Sequence, residues 1–245
     1  MRYQRVLLKL SGAAMAAGSR TSPFERGAID HIVSELLKLL QAGIEVVTVV
    51  GGGNVFRGNL AEEWGIEQAE ADNMGMLGTV INGVMLRAAI AAGADVDVRL
   101  MSAVPIPSVA EPYIRLRAIR HLEKGRVVIL AGGIGQPYVT TDYPAVQRAI
   151  ETRCDAVLAA KHGIDGVFDS DPRTNPDALR YRTLASDDAI QKDLRAMDQS
   201  ALLLARDHGL PVHVFNFDLE DAPLRIVGGE DIGTLVRGDV SSVNA

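Results

Sequence analysis

The sequence has a single cysteine, Cys154, which excludes an internal disulfide framework or a cysteine-rich metal site and fits a reducing compartment. In that setting Cys154 reads as core filler rather than as a nucleophile. No run of about 18 consecutive apolar residues is present. Met1-Arg2-Tyr3-Gln4-Arg5 leads straight into a short apolar strand instead of a signal-peptide segment, so a cytoplasmic location is expected and no membrane partner. Positive charge is not in excess. With 25 Lys and Arg against 31 Asp and Glu, the net charge of -6 argues against a general nucleic-acid or membrane-surface binder, while a local basic pocket for a phosphorylated ligand stays compatible with it. There is no Gly-x-x-x-x-Gly-Lys-Ser/Thr loop and no Gly-x-Gly-x-x-Gly in the first strand-to-helix turn, which counts against a Walker-type ATPase and the common dinucleotide-binding domain. His31, His121, His162, His208 and His213 show no metal-ligand spacing, and no Ser/His/Asp arrangement stands out. Solenoid repeats and low-complexity linkers are also missing.

What is present is a hydrophobic content of 47% over 245 residues, ample for a substantial core. Short apolar runs at Val6 to Leu10, Val46 to Val50, Val96 to Leu100, Val127 to Ala131, Ala156 to Ala159 and Val212 to Phe215 read as buried strands. Between them lie helical patterns. In Ala28 to Gln41, Ile29, Ile32, Val33, Leu36 and Leu40 share one face and Gly43 can end the helix. Further helices are expected at Asp72 to Ala92, Tyr113 to Lys124, Pro144 to Thr152 and Asp198 to His208. Strands alternating with helices predict an α/β fold, a three-layer αβα sandwich with a mostly parallel central sheet, and 1–245 reads as one domain.

In such sheets ligands bind outside the carboxyl ends of the strands, and the unusual residues fall there. Lys9-Leu10-Ser11-Gly12 ends the first strand, Gly51-Gly52-Gly53-Asn54 follows the second, residues 130–142 follow the fourth, and Asp165-Gly166 follows the fifth. Four such loops on one edge predict a single extended cleft. Lys9 lies within Leu7-Leu8-Lys9-Leu10, where a charged group must reach solvent or face a polar cavity; Ser11-Gly12 adds backbone amides suited to phosphate. Arg57, just beyond the three-glycine run, offers a guanidinium for bidentate phosphate recognition. The 130–142 loop joins a strand to a helix through Gly132, Gly133 and Gly135, with Thr140 and Thr141 supplying hydroxyls and Asp142 expected as the helix N-cap ahead of Pro144. Helix starts attract anions. Asp72 is read as an N-cap or an acceptor for sugar hydroxyls. Asp198 is read as the N-cap of the last long helix or as an acid holding Lys9. Asp165 to Pro172 carries turn chemistry and does not match a calcium loop, so an adenine or ribose contact is preferred there. Arg115, Arg117, Arg120 and Arg126 form a basic cluster that suits a solvated face, an oligomer interface or an anionic effector.

These residues together resemble the bacterial uridylate (UMP) kinase family, of the amino acid kinase fold. The resemblance spans nearly the whole chain, through Leu7 to Gly12, Gly51 to Gly58, Asp72 to Leu77, Met101-Ser102-Ala103, the 130–142 loop, Asp165-Gly166-Val167-Phe168, Met197-Asp198, Val214-Phe215-Asn216 and Gly233-Thr234-Leu235. It implies reversible, Mg2+-dependent transfer of the ATP γ-phosphoryl group to UMP. It further implies a homohexamer activated by GTP and inhibited by UTP. Lys9, Asp198 and Arg57 are then the expected catalytic residues. ATP is expected at Lys9, Leu10, Ser11, Gly12, Gly53, Arg57, His162, Phe168 and Asp171. UMP is expected at Gly52, Asp72, Ile134, Gly135, Gln136, Pro137, Tyr138, Val139, Thr140 and Thr141. Mg2+ is expected on the phosphates, without direct side-chain ligands. Two segments depart from the family. Ala13 to Thr21 replaces a Glu-Ala and glycine-rich segment linked to GTP activation. Ala160-Lys161-His162-Gly163-Ile164 replaces Lys-Ala-Thr-Lys-Val, leaving Lys161 as the cation available to compensate. Rival readings are a nucleotide-sensing module without catalysis, or an acetylglutamate or aspartate kinase of the same fold.

Overall fold

The computed structural model describes residues 1–245 apart from Gly18, Arg20, Thr21, Arg57, Arg173, Arg195, Ala196, 239–241 and 244–245; Gly58, Asn59, Ser242 and Val243 are described by backbone alone. In chain order the elements are β1 (Arg5–Leu10), α1 (Gly12–Ala16), α2 (Arg26–Gln41), β2 (Glu45–Val50), α3 (Gly58–Trp64), α4 (Gln68–Gly93), β3 (Val98–Ser102), β4 (Glu111–Pro112), α5 (Arg115–Leu122), β5 (Val127–Ala131), α6 (Asp142–Glu151), β6 (Ala156–Lys161), β7 (Tyr181–Leu184), α7 (Ser186–Gln191), α8 (Gln199–Asp207), β8 (Val212–Asn216), α9 (Ala222–Gly228), β9 (Thr234–Val236) and β10 (Ser242–Val243).

All strands join one sheet in the order β10-β7-β9-β8-β6-β1-β2-β5-β3-β4. From β8 to β4 the neighbours are parallel, whereas β9 runs antiparallel to β8 and β10 antiparallel to β7. Alternation along β1 sends Val6, Leu8 and Leu10 to one face and Leu7 to the other, so the strand feeds two separate cores. The first core packs under α2, α4 and α9; the second packs under α5, α6 and α8. Sheet flanked by two helical layers is the expected αβα sandwich. Cys154 lies buried in the second core, where burial pushes its thiol up to about 12, consistent with filler rather than nucleophile.

The six predicted strands appear as β1, β2, β3, β5, β6 and β8, with β3 displaced to Val98–Ser102 because Met101 and Ser102 continue the ladder opposite Leu130 and Ala131. Strands β4, β7, β9 and β10 were not anticipated. They are short and lie toward the sheet margins, where few residues carry the apolar pattern. Helix α4 starts at Gln68, capped in position by Glu67, so Asp72 sits inside the helix and is not an N-cap. Its 26 residues are long and apolar enough to cross a membrane by length and composition alone. Here Val80, Leu86 and Ile90 are spent on the first core. Helix α6 starts at Asp142 with Thr141 in the N-cap position, so Asp142 is not the cap either; its carboxylate is drawn to a lysine instead.

The central strand carries the two-core packing, and Leu8, fully buried, is its midpoint. Leu8→Ala is expected to reduce unfolding free energy by about 2–5 kcal/mol in urea denaturation. The matched change at half-exposed Leu219 should stay within about 0.5 kcal/mol.

Candidate active site

Strands β6, β1, β2 and β5 are consecutive neighbours in the sheet, so the four loops singled out in the sequence leave one edge side by side. Lys9, one residue from the end of β1, projects into the α6 and α8 layer and is buried. A buried ammonium requires a counter-charge. Asp142, at the start of α6, supplies it, with Nζ to Oδ1 at 2.6 Å. Burial pushes the Asp142 carboxyl up, yet the Lys9 charge and hydrogen bond, the Lys161 charge and the Asp198 amide outweigh it and hold the group below its ordinary 3.8. The acid expected on Lys9, Asp198, is engaged elsewhere. Its carboxylate accepts the Thr140 hydroxyl hydrogen bond, and its amide donates to Asp142 Oδ2 at 3.3 Å. Asp198 does occupy the N-cap position of α8, though its side chain makes no capping bond.

The loops after β1 and β2 lie in contact. Ser11 Oγ accepts from the Ala14 amide at 3.3 Å and starts α1, and the Gly51 amide donates to Leu10 O at 2.9 Å. A Cβ at Gly12 would stand 2.8 Å from Gly53 N and 2.5 Å from Asn54 Oδ1, so this backbone approach is open only to glycine. Helix α4 holds the loops from below. Asn82 donates to Gly51 O at 2.6 Å and exchanges two amide bonds with Asn54; Thr79 Oγ1 accepts from Gly132 N at 2.7 Å.

The loop after β5 is built as its glycines suggest. Gly132, Gly133 and Gly135 all adopt positive φ, at 76°, 55° and 78°, and a Gly132 Cβ would lie 2.9 Å from Val104 N. Tyr138 also has a positive φ, and its amide donates to Asp72 Oδ2 at 2.7 Å. Asp72 is thus the post against which this loop leans, with Gln68 Nε2 on its other oxygen at 2.7 Å.

A cavity of about 210 Å³ opens between these loops and α4. Gly52, Asp72, Gln136, Val139, Thr140 and Thr141 line it, which brings together the core of the residues expected around the acceptor, and Gly53, expected on the ATP side, lines it as well. Ile134, Gly135, Pro137 and Tyr138 belong to the same loop but do not line it. Arg148 does, and neither Arg148 nor Thr79 nor Asn82 was singled out from the sequence. Each left a signal. Asn82 and Thr79 are buried polar residues in an apolar helix, and Arg148 is a buried cation on the inner face of α6, stacked 3.9 Å from the Tyr113 ring centre. Arg148 donates to Gly133 O at 3.2 Å and pairs with Glu151 at 2.6 Å.

On the other side of Lys9, His162 follows β6 and meets Asp218 beyond β8, Nδ1 to Oδ1 at 2.7 Å. Gly163 N donates to Asp218 Oδ2 at 3.0 Å. Phe168 bridges Arg180, and the turn holding Asp171 follows. These residues flank the cleft without lining the cavity. Arg57 lies outside the described residues. In the basic cluster, Arg126 pairs with Asp97 at 2.7 Å and Arg117 lies 3.9 Å from Glu111.

A glycine-lined cleft at parallel strand ends, with a buried lysine at its centre, defines a protein that handles phosphorylated small molecules. The model of the amino acid kinase family matches residues 4–216, and the chain belongs to that family. It is similar to the uridylate kinase of Frankia alni, 55% identical over 235 residues that cover 96% of this chain and 91% of that protein. The uridylate kinase of Streptomyces avermitilis is 45% identical over 97% of this chain and 93% of its own length. Among solved structures, the UMP kinase from Bacillus anthracis covers both chains completely at 53% identity and a TM-score of 0.98.

The lowered Asp142 carboxyl fixes a pH dependence. A depressed carboxyl contributes stability above its ordinary value of 3.8 and loses it as pH falls through the lower folded value. Melting temperature should therefore fall on that acid limb, and Asp142→Asn should flatten the limb; an identical limb in the variant contradicts the pairing.

Proposed function

We infer that the chain is a uridylate kinase, transferring the γ-phosphoryl group of ATP reversibly to UMP to give UDP and ADP. The observation that carries the reading is the position of Lys9. It is held by Asp142 at the meeting point of glycine loops from adjacent strands, between the 210 Å³ cavity and the His162 side of the cleft.

The reaction joins two polyanions. A UMP phosphate oxygen, already anionic near neutral pH, forms a bond to the γ-phosphorus while the bond to the β,γ-bridging oxygen breaks and its electron pair leaves with ADP. Little proton abstraction is needed; the barrier is repulsion and misalignment. Lys9 and the amides of Ser11, Gly12 and Gly53 take the donor phosphates, an arrangement supported by the contact of the loops after β1 and β2. Arg57 joins them on sequence grounds. Gly52, Asp72 and Gln136 to Thr141 take UMP, supported by their shared cavity, with Arg148 as an added cation in its wall. His162, Phe168 and Asp171 take the adenine and ribose. Asp198 orients the site through Thr140, and Asp142 holds Lys9.

Among the described residues no group of three or more His, Cys, Asp or Glu side chains forms a metal cage. The cleft aspartates are already engaged, Asp142 by Lys9, Asp198 by Thr140 and Asp72 by Gln68 and the Tyr138 amide, a donor set that fits an ion carried by the nucleotide. Mg2+ bound in this way supplies charge neutralisation at the β- and γ-phosphates. A homo-oligomer, the hexamer implied by the resemblance, is supported by two exposed apolar pairs on neighbouring helices, Leu60 with Trp64 on α3 and Leu77 with Ile81 on α4.

An assay of ADP release with UMP, CMP and acetylglutamate as alternative acceptors tests the reading. Turnover is expected with UMP and ATP, and Lys9→Ala should lower kcat by about 100-fold or more. Turnover with acetylglutamate alone, or kcat unchanged by Lys9→Ala, would overturn it.

A further inference from the structure

Lys161 closes β6 at the same sheet edge as Lys9. The two strands are parallel neighbours with Lys9 opposite Ala159, so Lys161, two residues further on, leaves the sheet from the same face. That face carries α6 and α8, whose starts present Asp142 and Asp198. Lys161 is partly buried, and among the described residues its ammonium forms no ion pair. Both nearby acids are committed, Asp142 to Lys9 and Asp198 to Thr140. Burial and the Lys9 charge lower the Lys161 pKa against the opposing pull of Asp142 and Asp198. Two cations converge on one side of the cleft, and the second lacks an anion.

We propose that Lys161 is a second phosphate-binding cation of the transfer site, contacting the donor polyphosphate beside Lys9. It rests on the kinase reading above. The placement favours the donor because β6 leads directly to His162 and the Phe168 to Asp171 turn, while the acceptor cavity lies across β1 against β2 and β5. As the bond between the γ-phosphorus and the bridging oxygen breaks, negative charge grows on the ADP β-phosphate. An ammonium held out of bulk water and aimed at that position stabilises this charge more than it stabilises ground-state ATP. A polyphosphate also relieves the repulsion between the two lysines.

The test compares wild type with Lys161→Met and Lys161→Gln, two neutral side chains of similar length, and with Lys161→Arg, which keeps the charge. Wild-type turnover of UMP and ATP in the same assay separates the two claims, since its absence would sink the kinase reading itself. With wild type active, both neutral variants are expected to lose about 100-fold in kcat. They should also bind a non-hydrolysable ATP analogue more weakly in calorimetry, while KM for UMP stays within about threefold of wild type and Lys161→Arg recovers part of kcat. Melting temperatures should not fall, because the ammonium has no ion pair to lose. A folded neutral variant whose kcat and analogue affinity stay within threefold of wild type overturns the proposal. So does a loss confined to KM for UMP.

Discussion

Lys9 enters the fold on a strand flanked by β6 and β2, and its ammonium is withdrawn from water only because Asp142 meets it at 2.6 Å. An isolated charge in that position would cost several kcal/mol. The need to satisfy it explains much of the surrounding geometry. Asp142 turns its carboxylate to the lysine rather than to the amides of its own helix, which fixes where α6 begins. Its second oxygen accepts the Asp198 amide, tying the start of α8 to the same point. Asp198 then reaches Thr140 in the glycine loop. One ion pair thus links β1, α6, α8 and the loop after β5.

A second layer of support comes from α4. Asn82 and Thr79 spend their hydrogen-bonding groups on the backbone of the loops after β2 and β5, and Asp72, two turns earlier, braces Tyr138. Buried polar groups of this kind are costly unless fully partnered, and when partnered they fix one arrangement. The glycine loops therefore have backbone exposed for a ligand and little freedom to wander. A rigid cleft of that type suits phosphoryl transfer, where positioning and electrostatics do most of the chemistry.

Much of this was legible in the sequence. The central parallel strands followed from short apolar runs, and their adjacency put the four marked loops on one edge. Gly132, Gly133 and Gly135 announced a loop that demands positive φ. Less legible was the partnering of charges. The sequence offered Asp198 as an acid for Lys9, made Asp142 a helix cap and left Asp72 as a cap or a sugar-hydroxyl acceptor, because a cap is a local property and the choice of an ion-pair partner 133 positions away is not. Asn82, Thr79 and Arg148 escaped for a related reason, since their roles depend on which loops lie above α4 and α6. The margin strands β4, β7, β9 and β10 are too short to carry a pattern of their own.

The central claim is that Lys9 stands between two nucleotide phosphates. A crystal structure of the protein with UMP and a β,γ-imido analogue of ATP tests it directly. The account predicts the analogue's phosphates within about 3.5 Å of Lys9 Nζ and the Gly12 amide. It also predicts UMP in the cavity lined by Gly52, Asp72 and Thr140. Phosphates bound away from Lys9, or UMP outside that cavity, would contradict it.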